Sequence, residues 1–300
     1  MNEGGEVVGG AAEGVYVWRN GEPSFILPGT GVAINSFADI AGTFGGDAFL
    51  WRSGTRFDLA GPGLRSFAVD LNDAGWVVGF DELGGGVLRG FLWRSGERID
   101  LGPAGEGFLR LNERGQVALR GEHALVWEDG ILRDLGTLGG RSSDPTAIND
   151  RGWVVGTSET ASGDFHAFLW REGTMIDLGT LGGRFSGAKD VNERGQVVGL
   201  SEDASGRPRA FLWANGVMVQ LPVDLGPAFS LYEALLVNDR GVIAGRAAGG
   251  DGLSASLLFR PERCPQVDVD AGTPGNAGVA PDAGLACDEE RNDNGPNRLD

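Results

Sequence analysis

The chain repeats itself, and this repetition limits its fold more than any other feature. The segment HALVWEDGILRDLGTLGG at residues 123–140 returns 43 residues later as HAFLWREGTMIDLGTLGG at residues 166–183. A recurring spacing of about 40 residues is typical of a chain that builds one small unit several times and stacks the copies. One such unit cannot bury its apolar side chains alone, so the copies are expected to share a core.

Two signals delimit each copy. An aromatic residue closes an apolar run in seven places, at Trp18, Trp51, Trp93, Trp127, Trp170, Trp213 and Phe259. Ahead of each lies an Asn that opens an N-x-x-G turn signal: Asn2, Asn35, Asn72, Asn112, Asn149, Asn192 and Asn238. The Gly of this signal is present in every copy except one, where Ala38 replaces it.

Each copy predicts four short antiparallel strands. The first ends at the Asn, and the Gly of N-x-x-G suits the left-handed backbone of a short hairpin turn. The second is Val-rich (QVVG, WVVG), and the third (HAFLW, DAFLW) is apolar at nearly every position, which indicates cover on both faces. A second hairpin signal, such as N-G, S-G or D-G, follows each Trp and leads to strand four.

Such copies predict an all-β fold, a β-propeller of about seven four-stranded antiparallel blades over residues 1–263. The first copy has no room for its first strand before Asn2, so either the ring closes imperfectly or the natural N-terminus lies upstream of Met1, and we expect the latter. The fourth strand of the last copy is expected in CPQVDVD, at residues 264–270.

The pattern H-A-F-L-W, D-L-G-T-L-G-G, N-x-x-G-x-V-V-G resembles the bacterial HAF-repeat family over residues 2 to about 260. The full triplet is His166-Ala167-Phe168, with variants at 47–49, 123–125 and 209–211. The resemblance implies an extracellular protein and supports the repeat. It supplies no catalytic residues.

Composition excludes some partners. The formal net charge is −17 at pH 7, whereas nucleic-acid binding relies on clustered Lys and Arg, so we expect no nucleic-acid partner. No apolar run reaches the roughly 18 residues of a membrane-spanning helix, so no membrane insertion is expected either. The N-terminus as written carries no signal peptide. We expect a monomer that is extracellular or on the cell surface.

The segment 264–300 differs from the repeats and is predicted to be a flexible, acidic linker and tail rich in Pro, Ala, Gly and Asp. Its Cys264 and Cys287 could form a disulfide or remain free thiols. Its end vaguely resembles the Asp/Asn/Gly calcium loops of secreted proteins, and a solvated acidic tail is the alternative. The calcium ligands would be Asn292, Asp293, Asn294 and Asp300. No other cofactor is expected.

Few residues of the repeats suggest catalysis. His123 and His166 lie in different copies and are interpreted as strand-edge residues rather than zinc ligands. The Asp of the recurring D-L in strand four is interpreted as scaffold, capping a turn or pairing with the Arg after each Trp. GTLGG lacks the Lys-Ser/Thr of a phosphate loop, and no G-x-S-x-G nucleophile elbow occurs.

The repeats vary most in the connections between strands two and three and between copies, which a meander puts on one face. Variable loops on a rigid scaffold commonly bind ligands, so this loop face is predicted to bind a protein or glycan without catalysis. The candidate residues are Asp81, Glu82, Arg141, Ser142, Asp164, Arg184, Phe185, Asp203 and Arg207. The alternatives are a hydrolase or lyase in the central funnel, favoured if non-repeating ionisable side chains converge there, and a purely structural or display module.

Overall fold

In the part of the chain that the computed structural model describes, seven short antiparallel sheets follow one another, and each is built by one repeat. The structure describes residues 2, 5–11, 13–20, 22–103, 108–221, 229–249 and 254–259, and none of these forms a helix. The described strands lie in one compact unit, Met1–Phe259. The predicted tail, with Cys264, Cys287, Asn292, Asp293, Asn294 and Asp300, lies outside the described residues.

The first four sheets run from residue 7 to residue 134. Sheet 1 has three strands: β1 Val7–Ala11, β2 Gly14–Arg19 and β3 Glu22–Leu27. Sheet 2 has β4 Thr30–Ile34, β5 Ile40–Phe44, β6 Asp47–Arg52 and β7 Thr55–Asp58. Sheet 3 has β8 Arg65–Leu71, β9 Val77–Leu83, β10 Val87–Arg94 and β11 Glu97–Pro103. Sheet 4 has β12 Leu109–Leu111, β13 Val117–Arg120, β14 Ala124–Glu128 and β15 Ile131–Asp134.

The last three sheets continue the pattern. Sheet 5 has β16 Gly139–Ile148, β17 Val154–Thr160, β18 Phe165–Arg171 and β19 Thr174–Asp177. Sheet 6 has β20 Gly182–Val191, β21 Val197–Asp203, β22 Pro208–Ala214 and β23 Val217–Gln220. Sheet 7 has β24 Phe229–Val237, β25 Ile243–Gly249 and β26 Ser254–Phe259. A single parallel pair, Phe165 with Phe185, joins sheets 5 and 6.

Within each sheet the strands pair in sequence order, as a meander requires. The first strands of successive sheets contact one another from β4 through β24 and form the inner side. The fourth strands lie at the opposite edge, and every residue of β7 and β15 is exposed. The predicted sharing of a core is confirmed because apolar residues of strands two and three, such as Val154, Val155 and Leu169, are fully buried between neighbouring sheets.

The two predicted hairpin turns also form as expected. Ser53–Gly54 and Asp129–Gly130 have positive φ at both central positions (50° and 81°, 47° and 87°), as two-residue hairpins favour. The N-x-x-G glycines have φ near 80°, and Ala38 adopts the same left-handed backbone with φ 62°. Because the strands of each sheet form a meander, alternate connections lie at opposite ends of the sheet. Both kinds of turn therefore lie on one face, the turn face, and the variable connections lie on the opposite loop face.

The Gly of V-V-G has a packing role that the sequence pattern did not reveal. Gly156 lies opposite Phe168, the Phe of the complete H-A-F triplet. A Cβ at Gly156 would lie 1.9 Å from the Asp144 carbonyl oxygen and 2.9 Å from the Phe168 ring. The first strand bulges next to this contact, between Pro145 and Ala147. The missing side chain thus gives room both to the aromatic ring and to the bulged inner strand.

Candidate functional site

The turn face is held by a ladder of asparagines that links successive sheets. In sheet 5 the Asn149 Oδ1 accepts hydrogen bonds from the amides of Arg151 (3.1 Å) and Trp153 (3.0 Å). Its Nδ2 donates to the Asn192 carbonyl of the next sheet at 2.9 Å. The same donation to the next repeat is made by Asn2, Asn35, Asn72, Asn112 and Asn192. We call this series the asparagine ladder.

A second series of hydrogen bonds runs beside the first. The residue after five of these Asn donates its backbone N–H to a carboxylate of the following repeat, beginning with Ser36 to Asp73 at 2.8 Å. The acceptors are Asp73, Glu113, Asp150, Glu193 and Asp239. Burial, reinforced by the charges of Asp73 and Asp150, raises the pKa of Glu113. These carboxylates lie in turns that also carry arginines, such as Arg151, whose Nε lies 3.6 Å from the Glu193 carboxylate.

Charged side chains also gather on the inner strands, where sequence reasoning did not find them. We define the inner register as the residues two positions before the ladder Asn: Ala33, Asp70, Arg110, Ala147, Asp190 and Leu236. Burial raises the pKa of both Asp70 and Asp190, and the charge of Arg110 offsets a small part of that rise. Arg110 lies in sheet 4, Asp70 in sheet 3 and Asp190 in sheet 6. A comparison of this register across the repeats would have revealed the three ionisable residues.

The two inner carboxylates are held in the same way. The Asp70 carboxylate accepts hydrogen bonds from the amides of Leu71 and of Leu111 in the next sheet, both at 3.0 Å. The Asp190 carboxylate accepts from Val191 at 2.9 Å and from Val237 in the next sheet at 2.8 Å. Burial raises the pKa of each carboxyl despite these bonds. Each keeps some accessible surface.

A further charged cluster lies between sheets 6 and 7. The Glu233 carboxylate is buried and contacts Lys189 Nζ at 3.1 Å and an Arg246 guanidinium nitrogen at 2.9 Å. Lys189 is the only lysine of the chain. Two cations compensate one buried carboxylate here, which is the arrangement that a buried charge requires.

The loop face carries a groove of about 680 Å³ between sheets 1, 2 and 3. Its walls include Glu13, Pro28, Phe44, Arg65 and Phe67. The guanidinium carbon of Arg65 lies 5.5 Å from the centre of the Phe67 ring. Arg56 covers the Phe44 ring in the same way at 5.0 Å. The groove therefore has an apolar floor whose rings are flanked by cations.

The predicted loop-face residues have several different environments. Asp81 is buried, accepts the Ser66 hydroxyl at 2.7 Å and pairs with Arg98, which fixes it inside sheet 3. Glu82 reaches the groove edge because it pairs with Arg65 at 3.2 Å. Asp203 caps its own turn: bonds from the Ser205 hydroxyl, Arg209 and the Arg207 amide lower its pKa strongly.

The remaining candidates lie on sheets 5 and 6. Arg184 pairs with Asp164 at 2.7 Å, and this contact lowers the pKa of Asp164. Arg141 donates its amide to Glu159, and Ser142 accepts the Ser158 hydroxyl through its carbonyl. Phe185 forms the bridge between the two sheets. These residues do not surround one common site with Asp81 and Glu82.

The histidines and strand-four aspartates pair with each other. His123 Nδ1 lies 3.0 Å from Asp134, and His166 Nδ1 lies 2.9 Å from Asp177. Asp177 also accepts the Gly179 amide at 2.8 Å, so the predicted capping of a turn is observed. The alternative prediction, that the strand-four Asp pairs with the Arg after Trp, is wrong in sheet 2, because Arg52 contacts Asp39 rather than Asp58.

Among the described residues, no group of three or more His, Cys, Asp or Glu side chains is arranged to hold a metal ion. The described part of the chain also contains no apolar helix long enough to cross a membrane.

No protein-family model and no curated protein sequence matches the chain. Its fold is similar to the β-propeller domain of the Trilobed protease from Pyrococcus furiosus, with a TM-score of 0.55 and 9% identity over 86% of this chain and 91% of that one. A puromycin-hydrolyzing peptidase from Mycobacterium tuberculosis gives a TM-score of 0.53 and 14% identity over 83% of this chain. The match spans 48% of that peptidase, about half its length.

YCF48 from Cyanidioschyzon merolae is similar as well, with a TM-score of 0.50 and 14% identity over 86% of this chain and 92% of that one. At such low identity these likenesses concern the fold alone. Together with the seven successive antiparallel sheets, they show that the chain has a β-propeller fold.

Proposed function

We propose that the chain is a secreted or cell-surface propeller of the HAF-repeat type, with seven blades, which binds a polypeptide through its loop face and catalyses no reaction. The observation that carries this proposal is the groove between sheets 1, 2 and 3, on the face where the repeats differ. On the turn face, in contrast, the polar groups form hydrogen bonds between neighbouring sheets.

The chemistry of the groove favours a polypeptide over a glycan. Sugars commonly stack on aromatic faces, but guanidinium groups already flank the faces of Phe44 and Phe67. A peptide with an apolar side chain can fill the space above the rings, and its carboxylate can reach Arg65 at the groove edge. An apolar segment that also carries an acidic residue therefore fits best.

The test combines capture and mutation. The full chain is used to capture protein partners and to screen glycans on an array. The affinity of each purified partner or glycan is then measured for the native chain, for the double variant Phe44→Ser, Arg65→Ala and for the matched turn-face control Phe37→Ser. Phe37 is 73% exposed, so its replacement leaves the core intact. We expect the groove variant to bind a purified polypeptide at least tenfold more weakly and the control to bind normally. Equal loss in both folded variants, or binding of glycans alone, would refute the proposal.

A hydrolase or lyase acting in the central space is the second candidate, because Asp70, Arg110 and Asp190 are ionisable, break the repeat and lie on the inner strands. The two backbone bonds to each carboxylate explain their positions without a reaction. Turnover of ester, glycoside or uronide substrates that disappears in Asp70→Asn and Asp190→Asn would favour the enzyme.

A further inference from the structure

Sheets 3 and 5 carry a tryptophan, Trp76 and Trp153, four residues after the ladder Asn. Each ring lies against the turn Gly of the next sheet: a Cβ at Gly115 would lie 2.2 Å from the Trp76 ring, and a Cβ at Gly195 would lie 2.7 Å from the Trp153 ring. The face of a tryptophan ring attracts a cation. An arginine of the same sheet lies over each ring, Arg94 at 5.5 Å and Arg171 at 5.4 Å from the ring centre.

Sheet 4 has Gln116 at this position and a cavity beside it. Gln116 lies against the next turn as the two tryptophans do, because a Cβ at Gly152 would lie 2.8 Å from its amide oxygen. The cavity between sheets 4 and 5 has a volume of about 260 Å³, and Gln116 and Gly152 both line it. Its lining also includes the buried Val126 and Trp170 and the 69% exposed Ile131. The cavity therefore lies where sheets 3 and 5 place an indole ring.

The carboxylates of this cavity also distinguish sheet 4. The two residues after the closing Trp are Arg-Ser in sheets 2 and 3 and Arg-Glu in sheet 5, but Glu128-Asp129 in sheet 4, and both of these line the cavity. Their ion pairs are long: Arg114 lies 3.8 Å from Glu128, and Arg94 lies 3.9 Å from Asp129. Long ion pairs at the surface contribute little to stability. Both carboxylates are therefore available to a cation that a ligand brings.

One cation, Arg133, lines the cavity as well. It occupies the place in strand four where sheets 3 and 5 have isoleucine, and its guanidinium carbon lies 5.9 Å from the centre of the Trp170 ring. Among the described residues its guanidinium has no ion-pair partner. A guanidinium is thus within reach of an aromatic ring that enters the cavity, as it is for Trp76 and Trp153 in their own sheets. Two carboxylates against one guanidinium leave the charged lining negative.

From this cavity we propose a binding site for a small ligand that joins a planar aromatic ring to a protonated amine, the chemical class of tryptamine. The ring takes the place of the indole of sheets 3 and 5 and lies against Trp170, beside Arg133. The ammonium group contacts Glu128 and Asp129. A volume of about 260 Å³ is small for a ligand cavity, which favours a single ring system. The site lies between sheets 4 and 5 and is independent of the groove between sheets 1, 2 and 3.

Calorimetry with the full chain tests the ligand class. Tryptamine is titrated beside indole-3-propionate, which has the same ring and the opposite charge, and propylamine, which has the cation and no ring. We expect saturable binding of tryptamine with a dissociation constant of about 1 mM or lower, and at least about tenfold weaker binding of both controls. No saturable heat with tryptamine, or an affinity for either control within about tenfold of that for tryptamine, would overturn the proposal.

Gln116→Trp locates the site, because it introduces the side chain of sheets 3 and 5 and fills the cavity. Its matched control is Gln196→Trp, the same change four residues after the ladder Asn of sheet 6, where Ala214 and Asn215 stand in place of the two carboxylates. We expect Gln116→Trp to weaken tryptamine binding at least about tenfold and the control to bind normally, with folding checked by circular dichroism. Native affinity in folded Gln116→Trp, or equal loss in both variants, would overturn the assignment.

The double variant Glu128→Gln, Asp129→Asn tests the charge of the site with little change of shape. We expect tryptamine to bind it at least about tenfold more weakly, whereas Glu172→Gln, which removes an exposed carboxylate from the corresponding turn of sheet 5, leaves binding normal. If Gln116→Trp does not fold, this double variant decides. Unchanged affinity in the double variant, or the same loss in Glu172→Gln, would overturn the proposal.

Discussion

The asparagine ladder and the inner register lie two residues apart on the same strands, yet they differ in how closely the repeats agree. Each described ladder Asn orders its turn by accepting backbone amides, and six of the seven also donate to the next repeat. The inner register holds two Ala, one Leu, one Arg and two Asp. A buried backbone amide must find a partner in every repeat, so the Asn that supplies it recurs. The inner register tolerates side chains of different size and charge, and in sheets 3 and 6 its carboxylates bond an amide of the next sheet.

The largest expected effect comes from breaking the ladder. Asn149 is buried, and Asn149→Ala removes two accepted bonds and one donated bond, leaving backbone groups unpaired. We expect a loss of about 3 kcal/mol in the free energy of unfolding, measured in urea. The control Asn238→Ala removes two accepted bonds from an exposed turn and should cost about 1 kcal/mol. Equal losses would mean that the bond to the next sheet contributes nothing.

A smaller effect is expected in the inner register and depends on pH. Burial raises the pKa of Asp70 in the folded state. At a pH above that raised pKa the buried carboxyl is ionised, and this lowers the free energy of unfolding. Asp70→Asn removes this penalty. The stability of the variant relative to the native chain should therefore be most favourable near pH 7 and decline as the pH falls through the raised pKa toward 3.8, because the native Asp70 then becomes neutral.

Thermal unfolding of both chains from pH 7 to pH 4 measures this difference. Asp73→Asn serves as the control, because Asp73 is a half-buried carboxylate of the turn face. A difference between the native and Asp70→Asn chains that is constant over the whole range would show that Asp70 is not destabilised by its surroundings.

The smallest effect concerns the one turn that lacks Gly. Ala38 has φ 62°, a conformation that costs energy for any residue with a Cβ. Ala38→Gly should stabilise the chain by about 0.5 kcal/mol, because the relief of strain exceeds the added freedom of the unfolded chain. The reverse change in an open turn, Gly241→Ala (φ 76°), should cost about 1 kcal/mol. Urea midpoints that move in the same direction for both variants would contradict this account.

The sequence predicts the architecture because each repeat contains its own hairpin-turn signals and apolar strands. Positive φ at Ser53–Gly54 and the burial of Val154 and Leu169 follow from local rules that repetition makes visible. The sequence predicts the direction of individual side chains less well. Asp81 was predicted to face a ligand but is buried against Ser66 and Arg98, because loop position alone does not tell whether a side chain turns inward.

The order of strands, the two turn types and the division into a uniform face and a variable face are determined by the sequence itself, since hairpin turns and apolar strands depend on neighbouring residues. The tertiary structure decided which repeats meet around the centre. Asp70 and Leu111 are 41 residues apart, and only the stacking of sheets brings the carboxylate within 3.0 Å of that amide. Electrostatic contact depends on distance in space, which repetition in a sequence does not encode.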